Sequence, residues 1–326
     1  MTIAEPRPEL SIVIPCFNEE ENVRAICAAV SAEAIRHARS HEIIFIDNCS
    51  TDGTRAIIRQ LCAADPRVRG IFNTRNYGQM RSPTHGLFQA RGEAVIGMGA
   101  DFQDPPALIG ELVRQWRAGA SVVLGQRRSE PAPPLLRLVR RLGYAFLRRF
   151  GDHPIVPGAT GFGLFDRKVV ESLATWNEPE PFWRGMVIES GYRLALVPFD
   201  RPARIAGRSK NDARALFSFA LSALAGSARS LLRLPIPIGL GAGLLAVPLL
   251  AATLFAAAGH GPFWPLLTLT TAVGMFATLL LFLGLLGEQV RMLAERSRNL
   301  PLVIEEERIN FPADHGIPDR RPTVRR

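Results

Sequence analysis

The sequence predicts an α/β domain on a mostly parallel sheet, followed by a helical hairpin that spans a membrane. Three observations carry this expectation. Short apolar runs alternate with helical patterns between residues 10 and 124, the rhythm of strand–helix–strand units with both sheet faces covered. Carboxylates and amides recur where those runs end. Residues 234–287 contain no Lys, Arg, Asp or Glu, although the chain as a whole is 21% charged.

Taken in order, residues 10–15 (Leu-Ser-Ile-Val-Ile-Pro) form a first strand buried on both faces, since apolar side chains occupy both parities of the run. An Ala-rich helix extends to about Arg39. Residues 42–47 are the second strand, and Ser50-Thr51-Asp52-Gly53-Thr54 is a capped turn into a helix over 55–64. A strand at 68–72, a helix at 79–91, a strand at 94–97, a helix at 108–117 and a strand at 121–124 complete the rhythm. Gly158 to Arg167 reads as a glycine-rich bend into a further helix. Ligands of such sheets bind outside the carboxyl ends of the strands, which is where Asn18, Glu19, Asp47, Asp101 and Gln103 fall.

The chemical centre is Met98-Gly99-Ala100-Asp101-Phe102-Gln103-Asp104-Pro105-Pro106. Asp101 and Gln103 are hard oxygen donors suited to a Mg²⁺ or Mn²⁺ ion that bridges phosphates. Asp104 reads as an N-cap with Pro105 at the first helical position. A dinucleotide-binding fold shares the rhythm but fails at the first turn: Cys16-Phe17-Asn18-Glu19-Glu20-Glu21 has no glycine and three acids that would repel a pyrophosphate.

Residues 236–258 and 263–286 are each longer than the ~20 residues a bilayer core requires, and Gly259-His260-Gly261-Pro262 separates them. Arg208, Lys210, Arg214, Arg229 and Arg233 precede the first span and Arg291, Arg296 and Arg298 follow the second. The positive-inside rule therefore places both ends in the cytoplasm. The first ten residues lack the basic and apolar regions of a signal peptide. Residues 213–233 carry apolar side chains at helical spacing among basic ones, the pattern of a helix in the membrane interface, and a basic helix between 135 and 150 is either a solvated face or a lipid head-group contact. The net charge of +9 collects near the spans and in the tail, so membrane lipids and a phosphorylated substrate explain it better than nucleic acid. Cys16, Cys27, Cys49 and Cys62 show no paired ligand spacing and read as free thiols.

Several segments in this order resemble the polyprenyl-phosphate glycosyltransferases within the family-2 glycosyltransferases, a group that includes dolichyl-phosphate mannose synthase and bactoprenyl glucosyltransferases. They are Ile12-Val13-Ile14-Pro15-Cys16-Phe17-Asn18-Glu19, the Ser50–Thr54 turn, Asn76-Tyr77-Gly78, Ala100-Asp101-Phe102-Gln103-Asp104-Pro105-Pro106, Phe165-Asp166-Arg167-Lys168 and Arg204-Ile205-Ala206-Gly207-Arg208-Ser209-Lys210. The resemblance implies a GT-A-type nucleotide-sugar-binding domain over 1–212, the interfacial helix at 213–233, two transmembrane helices within 234–287, and a cytoplasmic tail at 288–326.

It further implies that Pro15, Phe17, Glu19 and Asp47 line a nucleoside pocket and that Asp101 and Gln103 hold the divalent cation. Arg204 and Lys210 would contact the donor diphosphate, and Arg127 and Arg128 would receive the phosphate of the lipid acceptor. The implied activity is inverting transfer of a sugar from a UDP- or GDP-sugar to a polyprenyl phosphate at the cytoplasmic face of the inner membrane. Two departures stand out: Gly99 where the family often has a first aspartate, and Gly161-Phe162-Gly163 where many relatives carry Asp-Phe-Arg.

Other readings stay open at this point. One is a family-2 transferase acting on another lipid or a polysaccharide, although Gln115-Trp116-Arg117 has the wrong order for the Gln-x-x-Arg-Trp signature of processive synthases. Another is a catalytically silent, nucleotide-sugar-binding membrane scaffold. The hairpin also offers a surface for symmetric self-association into a homo-oligomer.

Overall fold

The structure is a computed structural model that describes residues 6–128, 156, 158–176, 178–179, 181–200 and 301–312, with scattered positions between 268 and 297. Arg204, Lys210, the basic stretch at 135–150, the interfacial segment at 213–233 and the first span at 236–258 lie outside the described residues, as does most of the second span. Among the described residues no helix is long and apolar enough to cross a membrane.

The described chain builds one eight-stranded sheet. Its centre is formed by β1 (Leu10–Cys16), β2 (His41–Asp47), β3 (Val68–Asn73) and β4 (Ala94–Gly97), parallel in the order β3-β2-β1-β4. Between them run α1 (Val23–His37), α2 (Thr54–Ala64) and α3 (Gly78–Gln89). A single turn of 3₁₀ helix at Pro106–Leu108 leads into α4 (Ile109–Arg117), and β5 (Val122–Arg127) follows. Then come β6 (Ala159–Asp166), α5 (Arg167–Ala174), α6 (Trp183–Glu189), β7 (Leu194–Phe199) and β8 (Glu305–Ile309).

Alternation of side chains along a strand explains why the central strands are apolar at both parities. Ile12 and Ile14 of β1, Phe45 of β2 and Ile96 of β4 enter a core roofed by α1, α2 and α4. Val13, Ile44, Ile46 and Val95 enter a second core under α3, α5 and α6. With both faces covered, polar side chains are confined to the strand starts and ends, where Ser11, Glu42, Asp47, Arg69 and Asn73 are buried.

The sheet is mixed: four of its strand pairings are parallel and three are antiparallel. The stretch that reads as a glycine-rich bend is β6, which runs antiparallel between β4 and β5. Gly163 shows why glycine is needed there: an added Cβ would lie 2.4 Å from the carbonyl oxygen of Val123. Backbone cannot swing aside as a side-chain tip can, so Gly163→Ala is expected to destabilise the domain by roughly 1–3 kcal/mol. A thermal unfolding midpoint unchanged from wild type would refute this.

The helix after the acidic turn also begins later than the sequence suggests. Pro105 is extended (φ −67°, ψ 123°) because the ring of Pro106 disfavours the helical region for the residue before it. Asp104 therefore does not cap that helix. Its Oδ2 instead accepts the backbone N–H of Gly99 at 2.9 Å, folding the acidic turn back on itself. Finally, β8 joins the far edge antiparallel to β3, so residues expected to be plain tail complete the sheet.

Candidate active site

A cleft of about 640 Å³ opens across the carboxyl ends of β1, β2, β4 and β5. Three non-glycine residues with left-handed backbone surround it: Asn18 after β1 (φ 55°), Cys49 after β2 (φ 65°) and Phe102 after β4 (φ 58°). Backbone in this region is costly for a residue with a Cβ and tends to be retained at functional sites.

The loops after β1 and β2 are laced together. Ser50 Oγ accepts the N–H of Asn18 at 2.8 Å, Thr54 Oγ1 accepts the N–H of Glu19 at 2.8 Å, and Asn18 Oδ1 accepts the N–H of Thr51 at 2.8 Å. Asp47 anchors this lacing from below: fully buried, it accepts the N–H of Ser50 at 3.1 Å and lies 3.4 Å from Arg55 Nε. Burial pushes its carboxyl above the usual carboxylate range, against the pull of the Ser50 hydrogen bonds and the Arg55 charge.

From the same β2 loop, Asn48 fixes the turn that opens α3. Its Nδ2 donates to Asn76 Oδ1 at 2.9 Å and its Oδ1 accepts the N–H of Tyr77 at 2.9 Å, holding Gly78 at φ 83°. Cys16 also lines the cleft, but burial and the charges of Asp47, Glu19 and Asp52 push its thiol well above the ordinary value. A thiol so held supplies little thiolate and is a poor nucleophile.

Of the residues singled out in the sequence, Pro15, Phe17, Glu19, Asp101 and Arg127 line the cleft together. Asp47 does not line it, because its carboxylate is turned into the structural staple just described. Gln103 is not among the lining residues; its backbone N–H donates to Asp101 Oδ1 at 3.2 Å. Arg128 is also absent from the lining. It pairs at the surface with Asp200 at 3.1 Å, as expected when neighbouring residues of an extended chain point to opposite faces.

The sequence reading does not single out Asn48, Gln79, Trp183 or Arg184, all of which line the cleft. Asn48 directly follows the β2 carboxyl end, so the strand-end rule reaches it. Trp183 and Arg184 arrive on α6, whose position beside the cleft follows from β6 and was not legible without it.

The glycines at the departures from the family pattern have geometric meaning. A Cβ at Gly161 would lie 3.9 Å from Arg184 Nε, so this small residue faces a guanidinium across the cleft wall. A Cβ at Gly99 would lie 3.2 Å from Asp101 Oδ1 and 3.4 Å from Asp104 Oδ2. Asp101 and Asp104 both line the cleft, and carboxylate oxygens are hard donors of the kind Mg²⁺ or Mn²⁺ takes. Among the described residues no cluster of three or more metal-ligating His, Cys, Asp or Glu side chains occurs.

Residues 11–174 match the family model described as glycosyl transferase family 2. The chain belongs to that family. A prophage bactoprenol glucosyl transferase homolog of Escherichia coli K12 is 32% identical over 71% of this chain and 76% of its own. An uncharacterized glycosyltransferase of Synechocystis is 34% identical over 66% of this chain and 68% of its own, and one of Bacillus subtilis, YkcC, is 26% identical over 96% of both. A mannosyltransferase of Pyrobaculum calidifontis solved with GDP-Man and Mn²⁺ is similar at a TM-score of 0.46 and 21% identity, over 90% of this chain and 87% of that one. As a family-2 glycosyltransferase, this enzyme gathers its acidic turn, Arg127 and Arg184 in the lining of one cleft.

Proposed function

We propose that this glycosyltransferase moves a sugar from a UDP- or GDP-sugar to a polyprenyl phosphate, with inversion, at the cytoplasmic face of the inner membrane. The observation that carries the reading is the charge gathered in one cleft: Asp101 and Asp104 line it together with Arg127 and Arg184. The bactoprenol glucosyl transferase names among its relatives support the same acceptor.

The chemistry is a single displacement. An acceptor phosphate oxygen forms the new bond to the anomeric carbon as the bond to the donor diphosphate breaks. A phosphate monoester has a second pKa near ~6 and is largely dianionic at neutral pH. It needs positioning rather than deprotonation. Arg127 and Arg184 present guanidinium forks that suit phosphate oxygens, while Pro15, Phe17 and Glu19 border the nucleoside side of the cleft. Asp101 holds the divalent cation in this reading, and the bound ion supplies charge neutralisation for the departing nucleoside diphosphate. Arg204 and Lys210 belong to the proposal as further diphosphate contacts, and Arg128 as an outer lipid-phosphate contact.

The membrane hairpin gives the location. Met275, Leu279, Leu283, Leu286, Val290 and Leu293 are exposed at intervals that keep one helical face, an apolar stripe that asks to be covered. Lipid covers it here, which keeps the acceptor's isoprenoid tail beside the cleft and confines the search to two dimensions.

Membranes containing the protein, incubated with labelled UDP- and GDP-sugars and polyprenyl phosphate, are expected to place label in an organic-extractable, mild-acid-labile product. Label confined to the aqueous phase for every donor would overturn the acceptor assignment.

A further inference from the structure

We infer that Asn73 is a positioning residue for the nucleotide-sugar donor: buried behind the cleft, it pins the first two turns of α3, which form part of the cleft wall, to the loop after β2. The inference rests on the nucleotide-sugar transfer reading above and names a residue that serves the same site. Asn73 ends β3 on the face that Ile71 turns into the core under α3. It is 0% exposed and absent from the cleft lining. Its Nδ2 donates to Ser82 Oγ at 3.0 Å and to Asn48 Oδ1 at 3.2 Å, and both of those residues line the cleft.

The local sequence of α3 explains why such a pin is needed. Gly86 seats the later part of the helix on the sheet, where an added Cβ would lie 2.8 Å from Val13 Cγ1 and 3.1 Å from Ile46 Cγ2. The first turns have less to hold them. Tyr77 at the N-cap makes no side-chain capping bond, and Pro83 has no N–H to give to the helical ladder. Those turns nevertheless supply Gly78, Gln79, Met80, Ser82, Pro83 and Thr84 to the cleft. Hydrogen bonds from outside the helix therefore set where this wall stands.

Fold stability alone does not account for an amide at this position. Asn73 Oδ1 has no hydrogen-bond partner among the described residues, and a buried acceptor left unpaired costs stability that an apolar side chain of similar size would keep. What the amide adds is direction. Gripping Asn48 and Ser82 through one nitrogen, it fixes the β2 loop and α3 relative to each other, and a ligand held between two elements is bound well only when their spacing is fixed beforehand.

The test is the affinity of the full chain in detergent for UDP and for GDP, read by calorimetry, with thermal unfolding of each variant in parallel. Asn73→Leu keeps the size and removes both hydrogen bonds, and is expected to weaken the nucleotide that the wild type binds by roughly tenfold or more. Adding Ser82→Ala removes the hydroxyl left without its donor, so the double variant is expected to unfold at the wild-type midpoint or above while its nucleotide affinity stays low.

Wild-type affinity in Asn73→Leu, or an affinity that recovers together with the midpoint in the double variant, overturns the assignment and leaves the transfer reading standing. A midpoint that stays low in the double variant overturns it too, since Asn73 would then serve the fold. Weakened nucleotide at a restored midpoint supports the assignment, and if the wild type places no label on polyprenyl phosphate, only the acceptor falls. A wild-type chain that binds neither UDP nor GDP overturns the donor reading and the assignment with it.

Discussion

Asp101→Ala is expected to lower sugar transfer by roughly 10²–10³-fold while leaving the domain folded. The side chain sits in the cleft on a loop, beside Phe102 at φ 58°, and its Oδ1 accepts the backbone N–H of Gln103 at 3.2 Å. Removing it takes nothing from either hydrophobic core. On the proposed reading it removes the carboxylate that would hold the divalent cation against the charge developing on the leaving diphosphate, in a site where preorganised electrostatics count most. Turnover measured at saturating donor and acceptor decides: a rate within tenfold of wild type, with an unchanged unfolding midpoint, would remove Asp101 from the reaction.

The central strands and their helices were legible because burial on both faces leaves a plain mark, apolar side chains at both parities bounded by polar turns. The strand-end rule named Asn18, Glu19, Asp47, Asp101 and Gln103, of which Glu19 and Asp101 line the cleft, and the resemblance added Pro15 and Phe17. It could not separate Asp47 from them, since residue type and strand end are the same; only burial beneath Ser50 distinguishes a staple from a pocket wall. Arg127 and Arg128 differ by one residue and therefore by one face. β6 was hidden by Gly158, Gly161 and Gly163, which signal a bend in sequence, whereas Gly163 serves close approach to the Val123 carbonyl within the sheet.

β8 was hidden for another reason. Glu305-Glu306-Glu307-Arg308-Ile309 has the charge of an edge strand, and its partners lie more than two hundred residues away. Glu306 and Glu307 reach Arg55 and Arg59 of α2, each at 2.6 Å. Both acids are well exposed, so those pairs add little stability and serve mainly to set register. Glu305 is different. At 10% side-chain exposure it lies 2.5 Å from His85 Nε2 and 2.6 Å from Arg308 Nη2, and Arg308 also donates to Gln89 Oε1 at 2.9 Å.

Burial alone would raise the Glu305 carboxyl, but hydrogen bonds and charge from His85 and Arg308 outweigh it and hold the group down to about 2, against an ordinary 4.5. A depressed acid stabilises the fold above its unfolded value and loses that contribution as pH falls toward its folded value. Glu305→Gln, which removes the charge and leaves Arg308 beside a neutral amide, is expected to cost on the order of 3 kcal/mol near pH 7. The gap between wild type and variant should narrow as pH falls from 4.5 and close near 2, the interval bounded by the two values for Glu305. Thermal unfolding of the full chain in detergent at several pH values reads it, and a gap that persists unchanged to pH 3 would refute the linkage. The loss reaches the cleft as well, because His85 sits on α3 and the first turns of that helix supply Gly78, Gln79, Met80 and Ser82 to the cleft wall. A strand that follows the apolar region thus braces a helix that lines the site, and Glu305→Gln should raise the donor KM more than it lowers kcat.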